Sequence, residues 1–221
     1  MDQLFPGAGT LRSVPDKADL ETLANLENAL AGSRLGARAR AKRDMSDLLR
    51  TTALRLFLDR GFDNVTVNEI AAAADVASRT FFRYFPSKET VIVDAYDQMN
   101  SRLVDLVGNH SEKPMLEAVR DAVRRWFEEC TPFLNLLSRF PFTSPTVNAA
   151  LLLRQSDWEQ RLAEAIAASR PVPTERFAQI WGTLTFTLVH LTHSTAQEKG
   201  CSSLEVLDEV FDDFAGAVAG R

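Results

Sequence analysis

Residues 76–89 read VASRTFFRYFPSKE, and this stretch decides the fold. A helix is predicted over residues 78–84, because Pro86 lacks an amide donor and disfavours helical dihedral angles at the residue before it. Phe81 and Phe85 lie at i and i+4, so they share one helix face and are predicted to pack into a core. A helix of about seven residues fits the major groove of DNA with its first turn against the base edges.

Two further helices are predicted upstream. The longer one ends at Gly61, and its apolar side chains fall on one face: Leu49, Ala53, Leu56 and Phe57. The next helix begins at Thr66, which with Glu69 has the form of a capping box, a reciprocal pair of hydrogen bonds between side chains and amides. Val65 and Ile70 occupy the positions of the hydrophobic staple that fixes how the chain enters such a helix.

Two short helices behind a longer one form a helix-turn-helix, although many helical proteins contain such a corner. The sequence itself is more specific, because residues 76–89 closely resemble the recognition helix and following turn of the TetR family of transcriptional regulators. The Gly61-Phe62 helix end and the entry at residues 66–71 match the same family, so the resemblance covers roughly residues 40–95. It implies an all-α fold, in which a three-helix DNA-binding domain precedes a larger helical domain for ligand binding and dimerisation.

Several side chains of this region are suited to reading DNA. The guanidinium of Arg79 matches the N7 and O6 edge of guanine, and Lys88 offers a point charge to a phosphate. Asn68 either reads adenine through two hydrogen bonds or is an ordinary polar surface residue. The resemblance, with Arg43 added from the basic run before it, implies this DNA-facing set: Arg43, Thr66, Asn68, Ser78, Arg79, Thr80, Phe82, Arg83, Tyr84 and Lys88.

Two positions depart from the family pattern. Phe82 stands where the family usually has a tyrosine whose hydroxyl touches a phosphate. Ala77 stands where a serine usually caps the recognition helix, and the missing cap costs about 1 kcal/mol. We expect the basic residues between 38 and 43 to supply compensating phosphate contacts.

Charge is distributed unevenly along the chain. A run free of acidic residues contains Arg34, Arg38, Arg40, Lys42 and Arg43, and is either a solvated linker or an arm that touches phosphates. Residues 34–90 carry 11 basic and 7 acidic side chains, a net charge of +4, although the whole chain has −5. Such an excess is either ordinary scatter or the footprint of a nucleic-acid partner.

The composition excludes several other classes of protein. With 221 residues, 45% hydrophobic and 25% charged, the chain is of the globular type. Its apolar runs are shorter than the ~20 residues that cross a bilayer, and no signal peptide is recognised, so we expect a cytoplasmic protein with Cys130 and Cys201 reduced. Metal-ligand spacings, phosphate-binding glycine loops and nucleophile elbows are missing. We therefore expect no enzyme, no catalytic residues, no metal and no cofactor.

The chain is predicted to have three parts: a flexible extension at residues 1–37, the helix-turn-helix domain at 38–90, and an effector-binding and dimerisation domain at 91–221. Prolines and glycines delimit the later helices. They are predicted at residues 87–108, 114–130, 145–169, 174–199 and 203–219, with a short helix from Pro132 that ends before Pro141.

The last two helices match those through which TetR-like proteins dimerise. Each has an apolar stripe, although such a stripe is also what an internal core requires. The residues assigned to a dimer interface are Leu184, Leu188, Leu191, Val210 and Phe214. Two recognition helices related by a two-fold axis would read a palindromic operator.

The resemblance also implies a pocket for an effector among the central helices. Aromatic residues concentrate there, and the alternative is a packed aromatic core. The residues assigned to the pocket are Trp126, Phe127, Phe133, Phe140, Trp158, Trp181, Thr185 and His190. An apolar ligand of the fatty acyl type is expected, with its polar end near Arg124, Arg125, Arg139 or Arg154.

These observations predict a ligand-responsive regulator, in most such cases a repressor, that binds operator DNA as a homodimer and is released by a small effector. The alternative is an architectural or protein-binding helix-turn-helix module without an effector.

Overall fold

The computed structural model describes residues 37–109, 112–137 and 144–220 of the chain. Within these ranges every regular element is a helix, which confirms the all-α fold. The helices are α1 (Ala37–Arg60), a 3₁₀ turn (Phe62–Asn64), α2 (Val67–Ala73), α3 (Ser78–Tyr84), α4 (Lys88–Gly108), α5 (Met115–Leu137), α6 (Pro145–Ser169), α7 (Glu175–Lys199) and α8 (Ser203–Ala219). Residues 1–36, which include Arg34 and all but the last residue of the predicted extension, lie outside the described residues, as do Arg139 and Phe140.

The described residues form two compact units. The N-terminal unit comprises residues 37–96, 132–137 and 144–151, and the C-terminal unit comprises residues 97–109, 112–131 and 152–220. The boundaries predicted from the sequence, at residues 37 and 90, stay a prediction. No helix in the described part of the chain is both long and apolar enough to cross a membrane.

The N-terminal unit has a continuous apolar core. Its buried side chains include the predicted face of α1 and both staple residues: Leu49, Ala53, Leu56, Phe57, Phe62, Val65, Ile70, Phe81, Phe85, Val91, Ile92 and Ala95. The Phe57 and Phe62 rings meet edge to face, with their centroids 4.9 Å apart. α2 and α3 are joined at Asp75, whose φ of 54° is left-handed, a conformation that Asp tolerates better than most residues.

α4 is fixed to α1 by a partly buried ion pair. The side chain of Arg50 is only 4% exposed and its Nε donates to Asp94 at 2.8 Å. Its Nη1 also donates to Asp47 at 2.7 Å, so the guanidinium is shared between two carboxylates. Removing Asp94 or Asp47 would therefore leave the buried charge of Arg50 with less compensation.

The structure corrects the helix boundaries predicted around residue 132. The sequence predicts that one helix ends at Cys130 and another starts at Pro132, but α5 runs without interruption to Leu137. A proline inside a helix removes one hydrogen bond and costs about 3 kcal/mol. The residues that follow are buried and apolar, and their burial offsets this cost: Phe133, Leu134, Leu136 and Leu137.

In the C-terminal unit, α7 packs against α8 and crosses α6 at close range. Gly182 of α7 marks the crossing, because a Cβ at this position would lie 2.5 Å from the carbonyl oxygen of Glu159. α7 starts at Thr174, whose hydroxyl accepts from the amide of Phe177 at 3.1 Å, and it stops at Gly200 in the left-handed conformation. Both ends agree with the sequence prediction.

Candidate functional site

Thr66 begins α2 with the capping box that the sequence predicts. Its hydroxyl accepts from the amide of Glu69 at 3.3 Å, and its amide donates to the Glu69 carboxylate at 2.9 Å. The Thr66 hydroxyl also donates to the Glu69 carboxylate at 2.7 Å. The two bonds that this carboxylate accepts, from the Thr66 amide and hydroxyl, lower the pKa of Glu69, and the Arg60 guanidinium, 3.2 Å from the carboxylate, adds to the effect. Thr66 therefore builds the start of the helix, and its contact with DNA stays a prediction.

α3 is anchored by its apolar face. Phe81 and Phe85 are buried as predicted, with their ring centroids 5.7 Å apart. Ala77 provides no side-chain cap, in agreement with the sequence, and its carbonyl accepts from the amide of Thr80 at 2.7 Å. These two rings hold the apolar face of α3 in the core.

The other face of α3 is open to solvent and carries Arg79, Phe82 and Arg83. Phe82 is 54% exposed, so a large apolar ring stands at the surface. The Arg83 guanidinium lies 5.1 Å from the centroid of the Tyr84 ring and donates to the Tyr84 hydroxyl at 3.3 Å. This bond leaves the hydroxyl proton of Tyr84 available for a phosphate oxygen.

A hydrogen bond connects the two short helices at the surface. The hydroxyl of Ser78, in the first turn of α3, donates to Oδ1 of Asn68 on α2 at 2.6 Å. Asn68 is exposed, and its oxygen, which has two lone pairs, can accept a second hydrogen bond beside that from Ser78. Both readings of Asn68, a two-bond contact with adenine and an ordinary polar surface residue, therefore stay predictions.

Lys88 opens α4 and makes two hydrogen bonds within its own unit. Its Nζ donates to the carbonyl of Phe62 at 2.8 Å and to that of Val65 at 3.2 Å. It also lies 4.3 Å from the centroid of the Phe62 ring. An ammonium group has three donors, so one remains for the phosphate contact that the resemblance implies. Sequence reasoning missed these carbonyl bonds, since they join residues 23 and 26 positions apart.

Residues 37–43 of the basic run belong to a helix. α1 begins at Ala37 and has no acidic residue in its first turn, so Lys42 and Arg43 lie on helical turns and not on an extended arm. Lys42 is exposed and Arg43 is half-buried. The positive end of the helix dipole and these cations act in the same sense, and both attract anions.

Most of the aromatic residues assigned to the pocket are buried. Trp126, Phe127 and Trp158 belong to the core of the C-terminal unit, and Phe133 to that of the N-terminal unit. Trp181 is half-buried. The Trp126 and Phe127 rings contact each other with centroids 5.1 Å apart, and Trp158 stacks on Phe186 at 6.0 Å. This packing resembles the core alternative, and the pocket stays a prediction.

The polar residues assigned to the pocket are engaged internally. The hydroxyl of Thr185 donates to the carbonyl of Trp181 at 2.7 Å. Burial lowers the pKa of His190, and it lowers the pKa of His193 to about 4 with a further contribution from His190. Both imidazoles are therefore neutral near pH 7.

Two arginines proposed from the sequence to receive an anionic ligand are paired with carboxylates. Arg154 donates to both oxygens of Asp97 at 3.1 Å, and Arg124 donates to Asp208 at 2.6 Å. The indole N–H of Trp158 also donates to Asp97, and that of Trp126 donates to the carbonyl of Met99 at 2.9 Å. Asp97 and Met99 lie on α4, so both tryptophans hold this helix.

A groove of about 450 Å³ separates α6 from α7 in the C-terminal unit. Its lining includes Glu159, Glu164, Glu175, Gln160, Gln179 and Thr183. Ser156, Ala163, Ala167 and Ala178 complete the lining, which therefore mixes acidic, polar and apolar side chains and contains none of the residues assigned to the aromatic pocket.

The residues assigned to a dimer interface divide into two groups. Leu188 is only 2% exposed, because it lies in the core of its own protomer, so for this residue the alternative of an internal core replaces the assignment to a dimer interface. Leu184, Val210 and Phe214 are half-buried and Leu191 is 46% exposed. Ile180 and Val218, which the sequence prediction did not include, are 52% and 71% exposed on the same two helices. Helical spacing from Leu184 and Phe214 would have found both, at i−4 and i+4.

Residues 49–95 match the family described as "Bacterial regulatory proteins, tetR family". The chain is 34% identical over 147 residues to the HTH-type transcriptional regulator TcmR of Streptomyces glaucescens, a match that covers 62% of this chain and 65% of that relative. The chain therefore spans less than two thirds of the length of that relative.

Two solved structures share the fold. A TetR-family regulator from Streptomyces coelicolor A3 superposes with a TM-score of 0.54 and 15% identity, over 82% of this chain and 96% of that one. The fatty acid degradation regulator FadR from Bacillus halodurans superposes with a TM-score of 0.53 and 17% identity, over 81% and 95%.

Proposed function

Because the chain belongs to the TetR family of bacterial regulatory proteins, we propose that it is a cytoplasmic transcriptional repressor. It binds a palindromic operator as a homodimer and is released by a small apolar effector of the fatty acyl type. No catalytic role is assigned, since the matched relative is a regulator.

The proposal rests on the exposed position of Arg79. Arg79 is exposed in the first turn of α3, while Phe81 and Phe85 fix the opposite face of that helix in the core. Such a helix enters the major groove with its N-terminal residues toward the bases. The bond between Ser78 and Asn68 holds α2 beside α3 at the same surface, so both helices approach DNA together.

The dimer follows from the need for two recognition helices, because one alone buries too little surface to select an operator. The exposed apolar side chains of α7 and α8 support an interface there: Ile180, Leu184, Leu191, Phe214 and Val218. Four helices, two from each protomer, would cover these side chains.

The effector is proposed to be mostly apolar. The residues assigned to its pocket are chiefly aromatic, and two nearby arginines, Arg124 and Arg154, are already paired with aspartates. An anionic end of the ligand would have to compete with those carboxylates, so burial of its apolar part supplies most of the affinity.

Selection of bound duplexes from a random pool tests the proposed function. The expected result is a palindrome whose half-sites are centred about one DNA turn (~34 Å) apart. Arg79→Ala should then cost about 1–3 kcal/mol and relax the preference at one base pair in each half-site.

Arg83→Ala is the matched control, because Arg83 is an exposed arginine four residues later on the same helix. It should weaken operator and random DNA alike. Equal affinity of the unaltered protein for all duplexes would instead identify an architectural DNA-binding module and contradict the regulator.

A further inference from the structure

Lys88 lies where a cation is electrostatically disfavoured. It is the first residue of α4, and the positive end of the helix dipole repels its ammonium group. The repulsion is offset because the ammonium donates to the carbonyls of Phe62 and Val65 and lies over the Phe62 ring. Charge-assisted hydrogen bonds of this kind are stronger than neutral ones.

The two acceptor carbonyls lie at a particular point of the chain. Phe62 begins the 3₁₀ turn, and Val65 immediately precedes Thr66, the N-cap of α2. Both side chains are buried, and the Phe62 ring contacts that of Phe57. The two carbonyls therefore belong to residues whose side chains are packed in the core of the unit.

Lys88 consequently connects the two ends of the helix-turn-helix. The segment between Val65 and Lys88 contains all of α2 and α3, and the ammonium group connects its two ends. Without this connection, the first turn of α4 and the start of α2 would be joined only through the segment itself and through apolar packing.

We propose that Lys88 is a positioning residue for operator recognition, which fixes the two ends of the helix-turn-helix so that α2 and α3 keep one orientation toward DNA. This inference rests on the proposed function. It assigns to Lys88 a role in the geometry of the helix-turn-helix, in addition to the phosphate contact that the resemblance implies.

Three variants test the proposal: Lys88→Met, Lys88→Arg and, as the matched control, Lys42→Met. Methionine keeps the apolar stem without the charge. Arginine keeps the charge, but its planar donors cannot reproduce the geometry of an ammonium group between two carbonyls. Lys42 is an exposed lysine of α1, so its replacement removes one cation and no carbonyl bond.

The first measurement is hydrogen exchange of the amides of α2 and α3 in the protein without DNA. Lys88→Met should exchange about tenfold faster there, since losing a charge-assisted hydrogen bond typically costs at least one factor of ten in an equilibrium constant. Lys42→Met should exchange at the rate of the unaltered protein. Unchanged exchange in Lys88→Met would overturn the proposal.

The second measurement is the ratio of affinities for the selected operator and for random DNA, as a function of salt. Lys88→Arg should keep the salt slope but lower this ratio several-fold, and should serve for both measurements where Lys88→Met does not fold. A pure phosphate contact predicts the opposite: arginine restores the ratio, and Lys88→Met only reduces the salt slope by about one. Failure of the unaltered protein to select any sequence would refute the proposed function, while the exchange experiment still decides whether Lys88 holds the segment.

Discussion

Gly182→Ala should destabilise the protein although alanine is the better helix former. A Cβ at residue 182 would lie 2.5 Å from the carbonyl oxygen of Glu159, and 3.0 Å and 3.2 Å from N and Cβ of Ala163. The first two of these atoms belong to the backbone of α6, so no side-chain rotation can relieve the contact. α6 and α7 would have to separate by roughly 1 Å to restore ordinary packing distances.

The expected magnitude follows from two opposing contributions. Replacing glycine by alanine inside a helix contributes about 1 kcal/mol of stability. Overpacking typically costs 1–3 kcal/mol, and here the separation would also loosen the stack of Trp158 on Phe186 across the same pair of helices. Since the obstacle is backbone, we expect the upper part of that range and a net loss of about 1–2 kcal/mol.

Urea unfolding followed by circular dichroism measures this loss, with Gly108→Ala as the matched control. Gly108 ends α4, and a Cβ there would meet Ala165 at 4.0 Å, an ordinary contact. The control should therefore equal or exceed the unaltered protein in stability. A Gly182→Ala variant as stable as the control would refute the close crossing of α6 and α7.

Two further predictions concern the C-terminal unit. The double variant Ile180→Asp with Leu191→Asp should be a folded monomer by sedimentation and should lose operator affinity, because both side chains are exposed in the protomer. Leu188→Asp, by contrast, should unfold the chain. A double variant that remains dimeric would disprove this interface. Burial lowers the pKa of His193 to about 4, below its value of about 6.5 in the unfolded chain. The unfolded state therefore binds a proton first as the pH falls, so stability should decline between about pH 6.5 and pH 4 by up to about 3 kcal/mol. His193→Leu should flatten this part of the plot of urea midpoint against pH. An equally steep plot for the variant would show that other groups titrate.

Local features of the N-terminal unit could be predicted from the sequence because their causes lie within a few residues. The capping box at Thr66 needs only Glu69 three positions later, and the burial of Phe81 and Phe85 follows from their spacing. The stop at Gly200 depends on its own left-handed conformation. In each case the interacting groups are neighbours along one helix, so the spacing alone determines which residues meet.

Features that depend on a distant partner could not be predicted. Arg154 and Arg124 looked free to bind an anion, but each meets an aspartate on another helix, 57 and 84 residues away. On α7, spacing grouped Leu188 with Leu184 and Leu191, yet only Leu188 faces the core. An apolar stripe shows that one face is buried, but its edges depend on which neighbouring helix covers them, and that neighbour is not encoded locally.

α4 illustrates how such distant partners bear on regulation. Near its start, its residue Lys88 bonds to the carbonyl of Phe62 and its residue Asp94 pairs with Arg50, both within the N-terminal unit. At its middle it is held through Asp97 by Arg154 and Trp158, all within the C-terminal unit. A ligand that disturbed the contacts of Asp97 would act on the same continuous helix that carries Lys88. We therefore expect an effector to weaken operator binding only to the extent that it binds one arrangement of α4 better than another. Operator DNA must then weaken the binding of that effector by the same factor. Tryptophan fluorescence can follow the affinity of a candidate ligand with and without operator. A ligand whose affinity is equal in both titrations does not regulate this protein.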